Sequence, residues 1–503
     1  PHNICDKTYV LGPNEHTIAD FWRMMWEQKS HVIVMLTKVF EFIRVMCVQY
    51  WPTETDKPDV YGDLEITLLS EESLANFMIR TIRIRKNEEV REIIQMHFTS
   101  WPAYTVPFPA SLLEFRRIVL LYMDRYPKIG PLVVHCSDGC GRTGAYLVID
   151  SNLELGEEEG VYDVFGYTKQ IACARKGMVE TQEQYMFIYE MLEDHHICGK
   201  TWFPVSELVQ QLKHKSLRNP ITRKNEYQQE YETICKMSCK FSIGDCAGGH
   251  RPENREKNRD VATVPPDNFR PYLTSYQSND STDYINAVFA DGYTRSKEYI
   301  VTEWPTYKTI PNLWSLVYDH DCNSVIVLCS ALTPPNGGTA PPLVCINYYK
   351  IFPLIFSSYI YTYDFNLHIF YFNKVVSLTE LMAGVKGETK TTQFFQITCW
   401  PQDHKVPTST NALVELMNMV ERWRQRSTYG PVVVVSMNGR CRAGVYCAAN
   451  FAIEQVVQHD EVDVFLAVKT VRRHRHQLVE NLTEYKYCYD LVMHYVLHFL
   501  NNE

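Results

Sequence analysis

Leu132-Val133-Val134-His135-Cys136-Ser137-Asp138-Gly139-Cys140-Gly141-Arg142-Thr143-Gly144-Ala145-Tyr146-Leu147-Val148-Ile149-Asp150 is the stretch on which the reading turns. An apolar, β-branched run comes first, a loop with two glycines follows, and helical periodicity sets in around Arg142. Strand, loop and helix amino terminus together make an anion cradle, because loop N–H groups converge and the helix dipole adds about half a positive charge. A cysteine opening such a loop is expected to have its thiolate favoured, with a pKa below the free value of ~8.5. Cys136 is therefore the candidate nucleophile. Arg142, six residues on, offers a planar fork to two oxygens of an oxyanion. Thr143 adds a hydroxyl for the sulfur, and Ser137, Asp138, Gly139, Cys140 and Gly141 supply the loop that would hold the anion.

Outward from this stretch the sequence repeats. Gly130-Pro131 and its apolar run recur at Gly430-Pro431, Asp163-Val164-Phe165 at Asp463-Val464-Phe465, and Lys169 and Tyr185 at Lys469 and Tyr485, all 300 residues later. Trp101-Pro102 answers Trp400-Pro401, and the run Ala19 to Leu36 answers Pro311 to Leu328. A period this long is a domain duplication, since solenoid units are only ~20 to 50 residues. The expected division is residues 1–198, a linker at 199–204, and 205–503, where PVSELVQQLKHKS opens a new helix. More than a hundred residues of the second copy precede its match to Ala19, against eighteen in the first, so the first copy is expected to lack its amino-terminal part. The start at Pro1 reads as that of a fragment.

The whole chain fits this organisation. Its 503 residues exceed what one core organises, at ~150 residues per domain. With 45% hydrophobic and 22% charged residues it is ordinary globular sequence, and a formal charge of -9 provides no basic field for nucleic acid. Sixteen cysteines are scattered singly, which reads as reduced cytosolic thiols, and neither Cys136 with Cys140 nor Cys235 with Cys239 has a second pair at zinc spacing. No metal site is expected. The aromatic segment 347–376 is interrupted by Lys350, Pro353 and Asp364, leaving about a dozen uninterrupted residues where a membrane span needs ~20. It reads as buried or edge strands, with an exposed insertion as the alternative. His195-His196 and the basic run Arg472 to His476 read as solvated helix ends and turns. VIVML and LVVHC read as strands; DFWRMMWEQ, SLLEFRRIVLLYMDRY and TGAYLVIDSNLELGEEE read as helices, so each copy is α/β.

His135-Cys136 followed by five residues and Arg142 resembles the signature loop of the protein tyrosine phosphatases, and the tandem arrangement resembles the cytoplasmic region of their receptor-type members. ADFWRMMWE, VMLTKVFE, Gln49 to Pro52, His97 to Pro102 and TQEQY extend the likeness in the first copy. NREKNRDV, DYINAVFADGY and YCYD in the second are most similar to the adhesion-type branch. The resemblance implies two tandem phosphatase-like domains, each a central twisted mixed sheet flanked by helices, the first packed on the second. It implies phosphotyrosine proteins as substrates, no cofactor, and the intracellular part of a single-pass plasma-membrane receptor. Cys136 would attack phosphorus, Arg142 and the loop amides would hold the oxygens, and water directed by Gln184 would hydrolyse the phosphocysteine.

Three residues depart from the family pattern. Ala103 stands where the family has its general-acid aspartate, a loss of roughly 10²–10⁴ in rate, and the phenol of Tyr104 is the nearest substitute. Asp138 puts a carboxylate in the phosphate loop; at ~6 Å and an effective dielectric of ~20 it would repel a phosphoryl charge by about 3 kcal/mol. Glu180 replaces a glutamine. Alanine and aspartate at these two positions resemble the catalytically silent receptor phosphatases of secretory granules, so the alternative is a scaffold that binds phosphotyrosine or partner proteins without turnover. The second copy reads as non-catalytic: Ser436 takes the nucleophile position, Val435 that of the histidine and Ala443 that of the hydroxyl residue. Arg442 remains and, with Arg440, could hold an anion. Asp403 aligns with the acid, Asp260 stands where a recognition tyrosine would stack in Lys257 to Asp260, and Cys441 is a bystander thiol.

Overall fold

A computed structural model describes residues 7–125, 130–275, 283–329, 361–364, 369–377, 389–401, 403–427 and 430–500. The chain forms two compact units, Pro1–Lys200 and Thr201–Glu503. In the first, the strands are β1 (Lys7–Val10), β2 (Val32–Met35), β3 (Phe40–Glu41), β4 (Arg44–Val45), β5 (Pro58–Tyr61), β6 (Leu64–Ser73), β7 (Phe77–Lys86), β8 (Glu89–Phe98) and β9 (Leu132–His135). The helices are α1 (Ile18–Glu27), α2 (Pro109–Arg125), α3 (Gly141–Glu159), α4 (Val164–Ala174) and α5 (Gln182–Cys198). Seven strands make one sheet in the order β1-β9-β2-β8-β7-β6-β5, and β3 and β4 pair as a separate hairpin. The strands from β1 to β8 in that order run parallel, and the remaining pairs are antiparallel.

Burial follows from this order. β2 and β9 lie inside the sheet and are buried throughout, as a parallel strand covered on both faces must be. β6 alternates buried and half-buried residues over its first half, because only one face is covered there. Trp22, Ile33, Met35, Tyr50, Ile82 and Val133 meet in one core cluster. α3 is buried along most of its length, so it has no polar stripe. Its one buried carboxylate, Asp150, is satisfied by Lys7 from β1 and Arg116 from α2, and the ion pairs hold its pKa below the usual range against the effect of burial.

The second unit repeats the plan. It contains β10 (Phe203–Pro204), α6 (Leu208–Ser216), α7 (Glu226–Met237), α8 (Ala247–His250), α9 (Pro252–Arg255), β11 (Ala287–Ala290), β12 (Tyr299–Glu303), α10 (Ile310–Asp319) and β13 (Ser324–Val327). β14 (Tyr361–Asp364), β15 (Ile369–Ser377), β16 (Thr389–Ile397), α11 (Thr410–Arg424), β17 (Val432–Ser436), α12 (Cys441–His459), β18 (Glu461–Val462), α13 (Val464–His474) and α14 (Leu482–His498) complete it. Its sheet runs β11-β12-β17-β13-β16-β15-β14. α12, α13 and α14 reproduce α3, α4 and α5 in length, each displaced by 300 residues. β14 and β15 place part of the aromatic segment at the sheet edge; 333–360 and 365–368 lie outside the described residues. Within 199–204, Phe203–Pro204 pairs with Glu461–Val462. No helix among the described residues is long and apolar enough to cross a membrane.

One surface expectation is corrected. Arg472, His474 and Arg475 are buried, not solvated. Arg475 donates to the Gly439 carbonyl and Asn286 Oδ1, and Arg472 to the carbonyls of Leu478 and Val479. The run turns inward because loop carbonyls need donors that the backbone does not supply. Burial lowers the Arg475 pKa to about 10.

Candidate active site

β9 ends at His135, and the chain then loops into α3. Gly139 holds φ +66°, and a Cβ there would fall 2.3 Å from the Val10 carbonyl oxygen, so only glycine fits beneath β1. Gly141 leaves room for Gln184, whose Nε2 would lie 2.8 Å from an added Cβ. Arg175 clamps the loop from behind through Nη2 to the Asp138 carbonyl at 2.9 Å. His135 is buried; its Nδ1 lies 3.0 Å from the Cys136 carbonyl and its Nε2 2.8 Å from the Tyr50 hydroxyl. A carbonyl can only accept, so the network assigns the ring proton to Nδ1. Burial lowers the His135 pKa to about 4 against that bond, and the ring is neutral.

A cleft of about 400 Å³ opens above the loop and brings Ala103, Cys136, Ser137, Asp138, Gly141, Arg142, Glu180 and Gln184 together. Gly139 and Cys140 complete the turn, with Cys140 Sγ directed to the carbonyls of Asp138 and Lys176. Gln184 Oε1 accepts the Glu180 N–H at 2.9 Å, fixing its amide beside the loop.

The cradle is already engaged by the protein's own carboxylates. Asp138 Oδ1 accepts the Cys140 N–H at 2.9 Å and the Cys136 S–H at 3.1 Å. Its side chain thus folds back into the loop that was expected to receive phosphate. The expectation of a depressed Cys136 pKa is corrected: burial raises it first and Asp138 adds to the rise, against the hydroxyl and N–H of Thr143. Thr143 Oγ1 is buried and forms no hydrogen bond of ordinary geometry among the described residues. The fork of Arg142 is also occupied. Its Nη1 and Nη2 reach Glu41 Oε1 and Oε2 at 2.6 and 2.9 Å, and Nη1 also points to the Leu36 carbonyl at 3.3 Å.

Glu41, on the β3–β4 hairpin, was not visible as a site residue. A glutamate beside a phenylalanine carries no motif of its own, and only the fold brings it to Arg142. Arg175 was legible in principle, because Arg475 lies 300 residues later and holds a carbonyl of the matching loop, that of Gly439, one position further along. The loop after Trp101-Pro102 is closed by Trp101 Nε1 to the Thr105 carbonyl, 3.0 Å. Ala103 is half-buried there, and Tyr104 is 87% exposed, its ring stacked on Phe42 at 6.4 Å. Both aromatic residues hold positive φ, 60° and 54°, a strain concentrated at the cleft mouth.

In the second unit the loop backbone is the same and its chemistry differs. Gly439 takes φ +61°, and Arg475 clamps its carbonyl at 2.8 Å. Ser436 is buried with its hydroxyl unpaired among the described residues. The guanidinium of Arg442 donates to the main-chain carbonyls of Leu328, Trp400 and Pro401 at 3.0, 3.0 and 2.8 Å. Cys441 Sγ points at Glu480 Oε2, 2.9 Å away, and its pKa is pushed up to about 12 by burial and by Glu484 and Glu480. Asp403 is exposed.

The protein-tyrosine phosphatase family model matches residues 7–194 and 254–494. The chain is 35% identical over 492 residues to receptor-type tyrosine-protein phosphatase U of Gallus gallus, covering 96% of this chain and 33% of that protein. It is 31% identical over 496 residues to receptor-type tyrosine-protein phosphatase alpha of Homo sapiens, covering 96% and 60%. With tyrosine-protein phosphatase Lar of Drosophila melanogaster it shares 30% over 520 residues, covering 99% and 24%. The chain therefore spans less than two thirds of these relatives. With one loop geometry built twice and both copies matched, the chain belongs to the protein-tyrosine phosphatase family and carries two of its domains in tandem.

Proposed function

We propose that this chain is the intracellular region of a single-pass receptor-type tyrosine phosphatase whose first unit dephosphorylates phosphotyrosine proteins slowly, through Cys136. The observation that carries the reduced rate is the 3.1 Å contact between Cys136 Sγ and Asp138 Oδ1. A thiol that donates to a carboxylate is a poor nucleophile until that proton leaves. Once it has left, the thiolate attacks phosphorus and the tyrosine oxygen departs, taking its proton from solvent because Ala103 has none to give. Water then cleaves the sulfur–phosphorus bond beside Gln184, releasing inorganic phosphate. Arg142 serves both steps only if its fork turns from Glu41 toward the phosphoryl oxygens or shares itself between them. The second unit supplies no nucleophile, since Ser436 has no adjacent base.

Phosphatase assay of the full chain tests this with wild type, Cys136→Ser and the double reversion Ala103→Asp with Asp138→Ala. The expected order is double reversion above wild type by at least ~10²-fold, the scale of a positioned acid, and wild type above Cys136→Ser. Wild type indistinguishable from Cys136→Ser, with phosphotyrosine peptide still bound and released by Arg142→Ala, would establish the scaffold alternative instead.

A further inference from the structure

The hairpin of β3 and β4 breaks a local rule at the edge of the Cys136 cleft. Phe40 pairs with Val45 and Glu41 with Arg44, which leaves Phe42 and Ile43 as a two-residue turn. Such turns favour asparagine and glycine, because they need positive φ. Phe42 nevertheless holds φ 54°. The turn is also apolar and open to water, with Phe42 83% and Ile43 98% exposed.

Tyr104, in the loop after Trp101-Pro102, repeats the anomaly: its φ is 60°, and its ring stacks on that of Phe42 at 6.4 Å with 22° between the planes. Two bulky aromatic residues are thus held in a disfavoured backbone region with most of their surface in solvent, an arrangement that costs stability and gains no burial. Local rules are broken in this way chiefly at functional sites. The ring pair is continuous with the cleft, since Phe42, Met46, Tyr104 and Val106 line it together with Cys136 and Arg142. In the second unit the stretch before β11 reaches α13, α14 and the carbonyls of Trp304 and Pro305. By sheet register these positions match α4, α5, Gly12 and Pro13 of the first unit. A segment lying there leaves the tip of the hairpin in solvent, so the exposure of Phe42 and Ile43 does not turn on it.

We infer that the Phe42–Tyr104 ring pair is a platform for the residue next to phosphotyrosine, selecting segments with an aliphatic side chain there and rejecting those with an acidic one. The inference rests on phosphotyrosine entering the Cys136 cleft, and it adds the class of segment that follows it in. Charge supports the rejection. Glu41 is paired with Arg142, so the other charged residues of the lining are Asp138, Glu180 and Glu183 against Arg44 alone. A glutamate beside phosphotyrosine would meet that excess of like charge. An aliphatic side chain laid on the rings would instead remove apolar surface from water on both partners, and covering about half of a leucine this way is worth about tenfold in affinity.

The probes are fluorescein-labelled peptides Gly-Gly-X-pTyr-X-Gly-Gly with X leucine, serine or glutamate. They are titrated with the full chain carrying Cys136→Ser, so that no peptide is consumed, and read by anisotropy. The leucine peptide should bind about tenfold tighter than the serine peptide, and the glutamate peptide more weakly than either. Phe42→Asn with Tyr104→Asn removes both rings while placing at each positive φ a residue that tolerates it; it should abolish the leucine preference, with circular dichroism checking the fold. Equal affinity for leucine and serine peptides, or a preference that survives the double substitution, overturns the inference. Equally tight binding of the unphosphorylated leucine peptide would make the rings a docking site of their own and overturn it too, as would self-association of the chain that the double substitution abolishes. Turnover by the chain with Cys136 intact, without a leucine preference, sinks this inference alone; a leucine preference without turnover sinks only the slow-phosphatase reading.

Discussion

Replacing Asp138 by alanine removes one of the two causes that raise the Cys136 thiol and leaves the other, burial, in place. The carboxylate oxygen lies 3.1 Å from the sulfur. At the dielectric of water, two unit charges at that distance repel by about 1.3 kcal/mol, and at an effective value of ~20 by about 5 kcal/mol. Asp138 is exposed, so the watery end applies and the thiol pKa should fall by about one unit. The substitution also frees the Cys140 N–H, which favours a nearby anion. Thiolate nucleophilicity falls as its pKa falls, with a Brønsted slope of ~0.4–0.5, so alkylation at neutral pH should accelerate only about three- to fourfold. The pH midpoint is the cleaner observable. Iodoacetamide labelling, followed site by site by mass spectrometry to separate Cys136 from Cys140, should show the Cys136 midpoint about one unit lower in Asp138→Ala. A midpoint that stays or rises would refute the reasoning and leave burial as the sole control of the nucleophile.

Glu41→Gln leaves the largely buried Arg142 without its counter-ion; breaking a buried pair costs about 3 kcal/mol, and at ~2–4 °C per kcal/mol for a unit of this size the melting temperature should fall by roughly 6–12 °C. Ser436→Cys should yield no phosphatase activity above a Cys136→Ser background, because Arg442 remains committed to three carbonyls; measurable turnover would show that those bonds yield to phosphate. The two units should respond oppositely to acid. His135 has its pKa lowered from 6.5 to about 4, so its contribution is present above pH 6.5 and is lost as pH falls toward 4; Glu303, raised by burial from 4.5 to about 7, favours the folded state most below pH 4.5 and loses that as pH rises to 7. Each span is worth about 3 kcal/mol, and scanning calorimetry from pH 7 to 4.5 should lower the first unit's transition and raise the second's, the latter shift shrinking but persisting in Glu303→Gln because burial raises Glu454 of the same unit to about 7 as well.

The parts of the molecule legible from sequence are those in which chemistry and chain order coincide. Leu132 to Asp150 holds strand, loop and helix in nineteen consecutive residues, so local rules sufficed, and its recurrence 300 residues later exposed the duplication. What escaped depends on distance along the chain. Glu41 and Arg142 are 101 residues apart, and nothing in either segment announces the pair. The orientation of Asp138 was likewise open, because a carboxylate in a loop is free to face solvent or to take the nearest unpaired N–H, which here is that of Cys140. Arg472 to His476 misled for a related reason: a charged run reads as solvated unless the carbonyls it serves are known, and those lie in the turn just after it and in the loop at Gly439.

The two units show the same cradle blocked by different means, and the difference bears on which is reversible. In the second, the nucleophile is absent and Arg442 is held by main-chain carbonyls, so restoring activity requires new covalent chemistry and a new side-chain arrangement. In the first, Cys136, Arg142 and Gln184 all stand around one cleft, and the obstacles are two carboxylates, Asp138 and Glu41, that hold the places an incoming phosphate would take. Carboxylates can be displaced by a stronger anion in a way that a missing sulfur cannot be supplied. A phosphate dianion must, however, meet Glu41, Asp138, Glu180 and Glu183 with only Arg44 and Arg142 in the cleft lining to oppose them, so affinity should be weak and should hold or rise as salt screens the net repulsion, where a site in which cations dominate would lose affinity. Salt dependence of phosphotyrosine-peptide binding therefore distinguishes a cleft that still recruits by charge from one that holds its ligand by shape and hydrogen bonds alone.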